Sequence, residues 1–201
     1  MQILGVVGGI ASGKSAVSAE LAALGAVVLD ADQAAHSAIN LPEVKQQLVD
    51  RWGVGVLAES GDVDRAAVAR RVFSGSGEDN AELRFLEQTL HPRIRQQFQA
   101  ELARLAPTGV PAVVIDAPLL LEAGWENLCD EVIFVDSARR VRLARAAQRG
   151  WTEQDFSRRE QAQMPIEEKK RKATQIIRND GTRAALKARV FEIWQQFPTD
   201  Q

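Results

Sequence analysis

Ile3-Leu-Gly-Val-Val7-Gly8-Gly9-Ile10-Ala11-Ser12-Gly13-Lys14-Ser15 is the stretch on which the reading of this chain turns. Ile3–Val7 is a short apolar run closed by two glycines, the pattern of a buried strand. Gly8 to Ser15 fits G-x-x-x-x-G-K-[ST]. In that pattern the glycines let the backbone curl until successive N–H groups converge on phosphate oxygens. The lysine reaches the β- and γ-phosphates, and the hydroxyl that follows ligates Mg²⁺. Val17, Leu21 and Leu24 recur at helical spacing and Gly25 supplies a stop. The loop therefore joins a strand to a helix, which separates a phosphate-binding loop from a glycine-rich turn with an incidental lysine.

Working outward, four more apolar runs read as strands: Ala26–Leu29, Ala112–Ile115, Val132–Val135 and the weaker Gln175–Arg178. Helical stretches separate them and two-residue hairpin turns are missing. That alternation predicts an α/β fold, a five-stranded parallel sheet flanked by helices, built as a P-loop NTPase fold. Two intervals exceed a simple crossover. The first holds helix candidates at Pro42–Trp52, Asp64–Phe73 and Ala81–Ala106, with Pro92 expected to break or kink the last. The second holds Thr152-Glu-Gln-Asp155, a helix start with Thr152 as cap, and a further helix opened by Pro165. Leu186, Val190, Ile193 and Phe197 share one face of a last helix, and Ser74-Gly-Ser-Gly77 resembles a flexible loop.

At 201 residues and 22.0 kDa the chain suits one domain, 1–201. A composition 45% hydrophobic and 26% charged excludes disorder, collagen and coiled coil. The lone Cys129 excludes an internal disulfide and a cysteine-based zinc site. No apolar run approaches the roughly 20 residues of a membrane helix, and the opening residues carry no cationic leader, so a cytoplasmic protein without a membrane partner is expected. A net charge of −2 gives no global attraction to nucleic acid, and none is expected as a partner. Ser137–Arg178 nevertheless holds 12 Lys+Arg against 5 Asp+Glu. Such a block suits a polyanionic ligand held locally, or a solvated helical surface.

Guanine selectivity would need [NT]-K-x-D, which does not occur. Asp50-Arg-Trp-Gly53 fits D-x-x-G without a preceding strand. What remains is a small kinase that folds an arginine-rich lid over ATP, and the basic block falls between the fourth and fifth strands, where such a lid belongs. Asp32 lies just past the second strand, where open α/β sheets place ligands. A carboxylate there can take a hydroxyl proton or position the metal, or Asp30 or Asp32 can merely cap the following helix. Asp116 ends the third strand; it can bind Mg²⁺ through water or simply close a buried strand with a polar residue.

The chain resembles the dephospho-CoA kinase family essentially end to end. The resemblance rests on Gly8-Gly-Ile-Ala-Ser-Gly-Lys-Ser15, Val28-Leu-Asp-Ala-Asp32, Leu86-Glu-x-x-x-His91-Pro92 and Asp116-Ala-Pro-Leu-Leu-Leu-Glu122. It continues through Arg145, Arg149, Arg159-x-x-x-Gln163 and Ile177-Arg-Asn179-Asp-Gly181. It implies transfer of the ATP γ-phosphoryl to the ribose 3′-hydroxyl of dephospho-CoA, with Mg²⁺. It implies a helical acceptor region over 36–106 and a lid over 137–173. Gly8, Gly9, Ile10, Ala11, Ser12, Gly13, Lys14, Ser15, Ala16, Arg145, Arg149 and Asn179 would bind ATP, with Asn179 near the adenine. Asp32, Lys14 and Arg145 would be catalytic, and Ser15 and Asp116 would hold the metal. Asp32, His91, Pro118, Leu119, Arg159 and Gln163 would meet the acceptor. The rival readings are another small-molecule P-loop kinase, acting on a nucleoside monophosphate or a sugar-like acceptor, and a nucleotide-gated binding protein. Whether the chain is a monomer or a homo-oligomer is left open by its sequence.

Overall fold

Each of the five apolar runs forms a strand in the computed structural model, which describes residues 1–73 and 80–197. In chain order come β1 (Gln2–Gly8), α1 (Lys14–Ala23), β2 (Val27–Asp30), α2 (Ala31–Ala38), α3 (Pro42–Trp52), α4 (Arg65–Phe73) and α5 (Ala81–Leu105). Then follow β3 (Ala112–Asp116), β4 (Glu131–Asp136), α6 (Arg139–Gln148), α7 (Glu153–Gln161), α8 (Ile166–Lys172), β5 (Gln175–Arg178) and α9 (Arg183–Trp194). The sheet order is β2-β3-β1-β4-β5, and every pairing is parallel. The Ser74–Gly77 stretch lies outside the described residues.

The chain divides into two compact units, Met1–Ala31 with Glu101–Gln201, and Asp32–Ala100. In the first, the period-2 alternation of strand side chains splits the core between two faces of the sheet. Leu4 and Val6 of β1, Ala112 and Val114 of β3, and Ile133 and Val135 of β4 meet Val17 and Leu21 of α1 and Leu186, Val190, Ile193 and Phe197 at the C-terminal helix. On the other face Ile3 and Val113 meet Leu102 and Leu105 at the end of α5. All four apolar positions expected on one face of the last helix are thus core. Thr182 caps that helix by accepting from the Ala185 amide at 3.2 Å.

In the second unit Val44, Leu48, Val56, Val68 and Val72 are buried. Asp64 caps α4, its Oδ1 accepting from Ala66 and Ala67 N–H at 2.9 and 3.1 Å. Lys45 closes the turn before it through the Gly61 carbonyl at 2.8 Å and Asp62 at 3.0 Å. Of the two outcomes expected at Pro92, a break or a kink, the break is corrected: α5 runs through it. The proline cannot donate the i→i−4 bond. Leu90 before it, and Ile94 and Phe98 after it, are all buried.

Candidate active site

The phosphate loop leaves β1 at Gly8 and enters α1 at Lys14. Gly13 sits at φ 96°, ψ 30° as the residue before the helix. A side chain there would be strained by the left-handed backbone and would collide with the Asn179 amide nitrogen. At Gly8 an added Cβ would lie 2.8 Å from the Val135 carbonyl oxygen of β4. These two glycines are therefore demanded by the curl itself. Ala11 adopts φ 57° at the loop's tip. Its methyl packs with Ile10 against Ala146 and Leu143 of α6, Phe156 of α7 and Trp151. The tip is thus anchored on the two helices of the basic block.

One carbonyl organises the rest. The Ser12 oxygen accepts from Asn179 Nδ2 at 2.8 Å, Arg145 Nη1 at 2.9 Å and Ser137 Oγ at 3.0 Å. Arg145 also donates through Nη2 to the Asn179 carbonyl at 2.8 Å. Asn179 is buried, and its own N–H donates to the Asp136 carbonyl at 2.7 Å. The ends of β4 and β5 thereby brace the loop from behind. Arg142, one turn before Arg145, is buried and donates to the carbonyls of Ser137 at 3.1 Å and Ile10 at 3.4 Å. Its Nη1 also pairs with Glu160 of α7 at 2.6 Å.

A cavity of about 360 Å³ opens on this arrangement, lined by residues that include Gly13, Lys14, Ser15, Arg145, Arg149 and Asn179. Lys14 is held below the ordinary lysine range, first by burial, then by the positive charges of Lys169 and Arg149; Asp116 and Glu122 pull the other way. Partly buried and lining the cavity, the Lys14 ammonium gains by meeting an anion there.

Asp116 closes β3 and is in register with Val6 of β1 and Asp30 of β2. Asp32 lies in the first turn of α2, which starts at Ala31, so it is a helical residue rather than the cap. His91 is partly buried in α5; burial lowers its pKa, against the raising effect of Glu87. Pro118 and Leu119 follow β3, and the Pro118 carbonyl accepts from Lys169 Nζ at 3.4 Å. Arg159 stacks over the Trp151 ring at 4.4 Å. Gln163, in the connection from α7 to α8, lines a second cavity of about 280 Å³ with Gly9, Ile10, Arg142 and Glu160. Sequence reading missed Ser137, Arg142 and the Lys169–Glu122 ion pair of 2.8 Å. Arg142 stands one helical turn from Arg145, a signal that spacing offered. Lys169 is the first of four consecutive basic residues, and nothing in that run marks it out.

Among the described residues no group of three or more His, Cys, Asp or Glu could hold a metal. A donor set of one hydroxyl, Ser15, and one carboxylate, Asp116, fits Mg²⁺, which keeps its waters and takes the remaining oxygens from substrate phosphates. No helix among the described residues is long and apolar enough to cross a membrane.

Residues 2–185 match the family model described as dephospho-CoA kinase. A dephospho-CoA kinase from Geobacter sulfurreducens is 41% identical over 203 residues, covering 98% of this chain and 100% of the relative. Among solved structures, a Thermus thermophilus protein superimposes with TM-score 0.78 at 34% identity, covering 98% of both chains. The dephospho-CoA kinase from Campylobacter jejuni gives 0.67 at 25% identity, covering 98% of this chain and 97% of its own. The match spans the loop, the residues that brace it and nearly all of the sequence between them: this chain belongs to the dephospho-CoA kinase family.

Proposed function

We propose that this chain transfers the γ-phosphoryl group of ATP to the ribose 3′-hydroxyl of dephospho-CoA, giving coenzyme A and ADP. The observation that carries the chemistry is the braced loop. Its Ser12 carbonyl is turned back to Arg145, Asn179 and Ser137, and Lys14 opens the helix that follows. Family membership carries the acceptor.

Phosphoryl transfer asks little covalent work of a protein; positioning and charge stabilisation dominate. The loop amides and Lys14 hold the β- and γ-phosphates. Arg149, exposed at the end of α6, adds positive charge at the cavity's edge. Arg145 keeps the loop in shape, and its Nε–H remains to be offered to the nucleotide. Ser15 and Asp116 would hold Mg²⁺, which when bound neutralises charge on the phosphate oxygens. Asp32 orients the acceptor hydroxyl and takes its proton. Its support is its place directly after β2, at the sheet end that carries Asp30, Asp116 and the phosphate loop. Residues 36–106 form the acceptor region, and residues 137–173 close over the nucleotide and exclude water as a competing acceptor.

The test is an acceptor panel read by ADP release. Dephospho-CoA should exceed nucleoside monophosphates and sugar-like alcohols by several hundredfold in kcat/KM. A better rate with any of those would move the chain to a different small-molecule kinase activity. No ADP release above the no-acceptor background with all of them would favour a nucleotide-gated binding protein.

A further inference from the structure

Lys169, Lys170, Arg171 and Lys172 follow one another in α8, yet the structure treats the first quite differently. Lys170 and Lys172 pair at the surface with Asp136 and Glu126. Lys169 is only 1% exposed. An ammonium in that position is costly unless it is paired and hydrogen-bonded. Here it has three partners: Glu122 Oε1 at 2.8 Å, Gln163 Oε1 at 3.3 Å and the Pro118 carbonyl at 3.4 Å. The same Glu122 oxygen accepts from the Met164 N–H at 2.9 Å. One ion pair therefore joins Gln163 and Met164, between α7 and α8, to Pro118 and Glu122, in the loop after β3.

The pair also decides which way Gln163 faces. Lysine has only donors, so the glutamine must turn its oxygen to Lys169, leaving its Nε2 hydrogens to donate elsewhere. Gln163 lines the 280 Å³ cavity beside Gly9 and Ile10 of the phosphate loop. Stability alone gives little reason for such a pair. A well-packed apolar pair of similar volume is commonly as stable or more so, whereas removing one partner leaves a buried charge.

We propose that Lys169 is a positioning residue for the acceptor: with Glu122 it pins the α7–α8 connection to the loop after β3 and sets Gln163 as a hydrogen-bond donor to the acceptor. The inference rests on the functional reading above and on the family resemblance, which sets Pro118 and Gln163 among the residues that would meet the acceptor.

Lys169→Met, the double variant Lys169→Met/Glu122→Met, and Gln163→Leu separate positioning from packing. Lys169→Met should lower the thermal midpoint by stranding Glu122, and the double variant should recover it. Both should raise KM for dephospho-CoA about tenfold, the scale of one lost hydrogen bond, with KM for ATP changing less than about threefold. Recovery of the acceptor KM together with the midpoint in the double variant would make the pair structural only and overturn the proposal. Equal losses for ATP and acceptor would overturn it too. Gln163→Leu keeps the ion pair and should by itself raise the acceptor KM by a similar factor; a wild-type value there contradicts the proposal even if the double variant does not fold. Wild-type protein inactive on dephospho-CoA would instead defeat the functional reading, and the same split is then measured with whichever acceptor the panel identifies.

Discussion

Arg145 donates through Nη1 to the carbonyl oxygen of Ser12 at 2.9 Å, so an arginine of the basic block is built into the back of the phosphate loop. Its spacing from Arg149, four residues on, suggests two equivalent arginines on one helical face. The geometry separates them. Arg145 is tied to Ser12 and Asn179 and partly buried, while Arg149 ends the helix and is exposed.

Arg145→Ala should therefore weaken ATP binding and kcat together, because the loop loses one of the donors that fix its carbonyl. Arg149→Ala should lower kcat more than ATP affinity, as expected of a contact completed in the transition state. ATP affinity by calorimetry, set beside kcat for the two variants, checks this. Identical profiles would contradict the division of labour.

Lys14→Ala should lower kcat by roughly 10²–10³, the usual loss for one preorganised contact to a transferring group. The circular dichroism spectrum should stay unchanged, since Lys14 opens its helix at the loop rather than filling the core. Turnover above a tenth of wild type in a folded variant would contradict the role given to it.

The lowered pKa of Lys14 has a stability consequence whose sign is fixed. In the folded, nucleotide-free protein burial disfavours the charged form, so the unfolded chain binds the proton more tightly. Folding then carries a penalty that is full below the lowered native pKa. It shrinks as pH rises from there toward the unfolded value of 10.5 and vanishes above it. Lys14→Met should be more stable than wild type at pH 7 in phosphate-free buffer, with the advantage narrowing as pH approaches about 10. Thermal midpoints of both proteins across that range test it; an advantage constant with pH would contradict it.

Asp32→Asn should cost roughly 10²–10⁴ in kcat, the range for a positioned general base. ATP affinity should hardly change, because Lys14 and the loop amides remain. Asp32 occupies the first helical turn rather than the cap. Its removal should therefore lower stability only by a helix-dipole contribution of about 0.3–1 kcal/mol. Near-wild-type kcat would remove Asp32 from the reaction.

The sheet was legible because each strand is a contiguous apolar run next to glycine or a polar stop, a signal carried by neighbouring residues. The Thr152 cap was legible for the same reason, and it forms with Asp155 as its reciprocal partner. What stayed hidden depends on pairing across the chain. Ser137 and Asn179 meet Ser12 over separations of 125 and 167 residues. Lys169 differs from Lys170 only in which side of a short helix it occupies. At Pro92 the break did not occur, because a local rule about proline says nothing of the buried residues on either side of it.

The central claim is that the phosphoryl group moves from ATP to the ribose 3′-hydroxyl of dephospho-CoA. Incubation of the protein with ATP, Mg²⁺ and dephospho-CoA, followed by phosphorus and proton NMR of the purified product, reads the position of the new phosphate. A monoester resonance coupled to the ribose 3′ proton, with one ADP formed per phosphate transferred, is the predicted result. A phosphate on any other hydroxyl, or ADP and free phosphate with dephospho-CoA unchanged, would contradict the account.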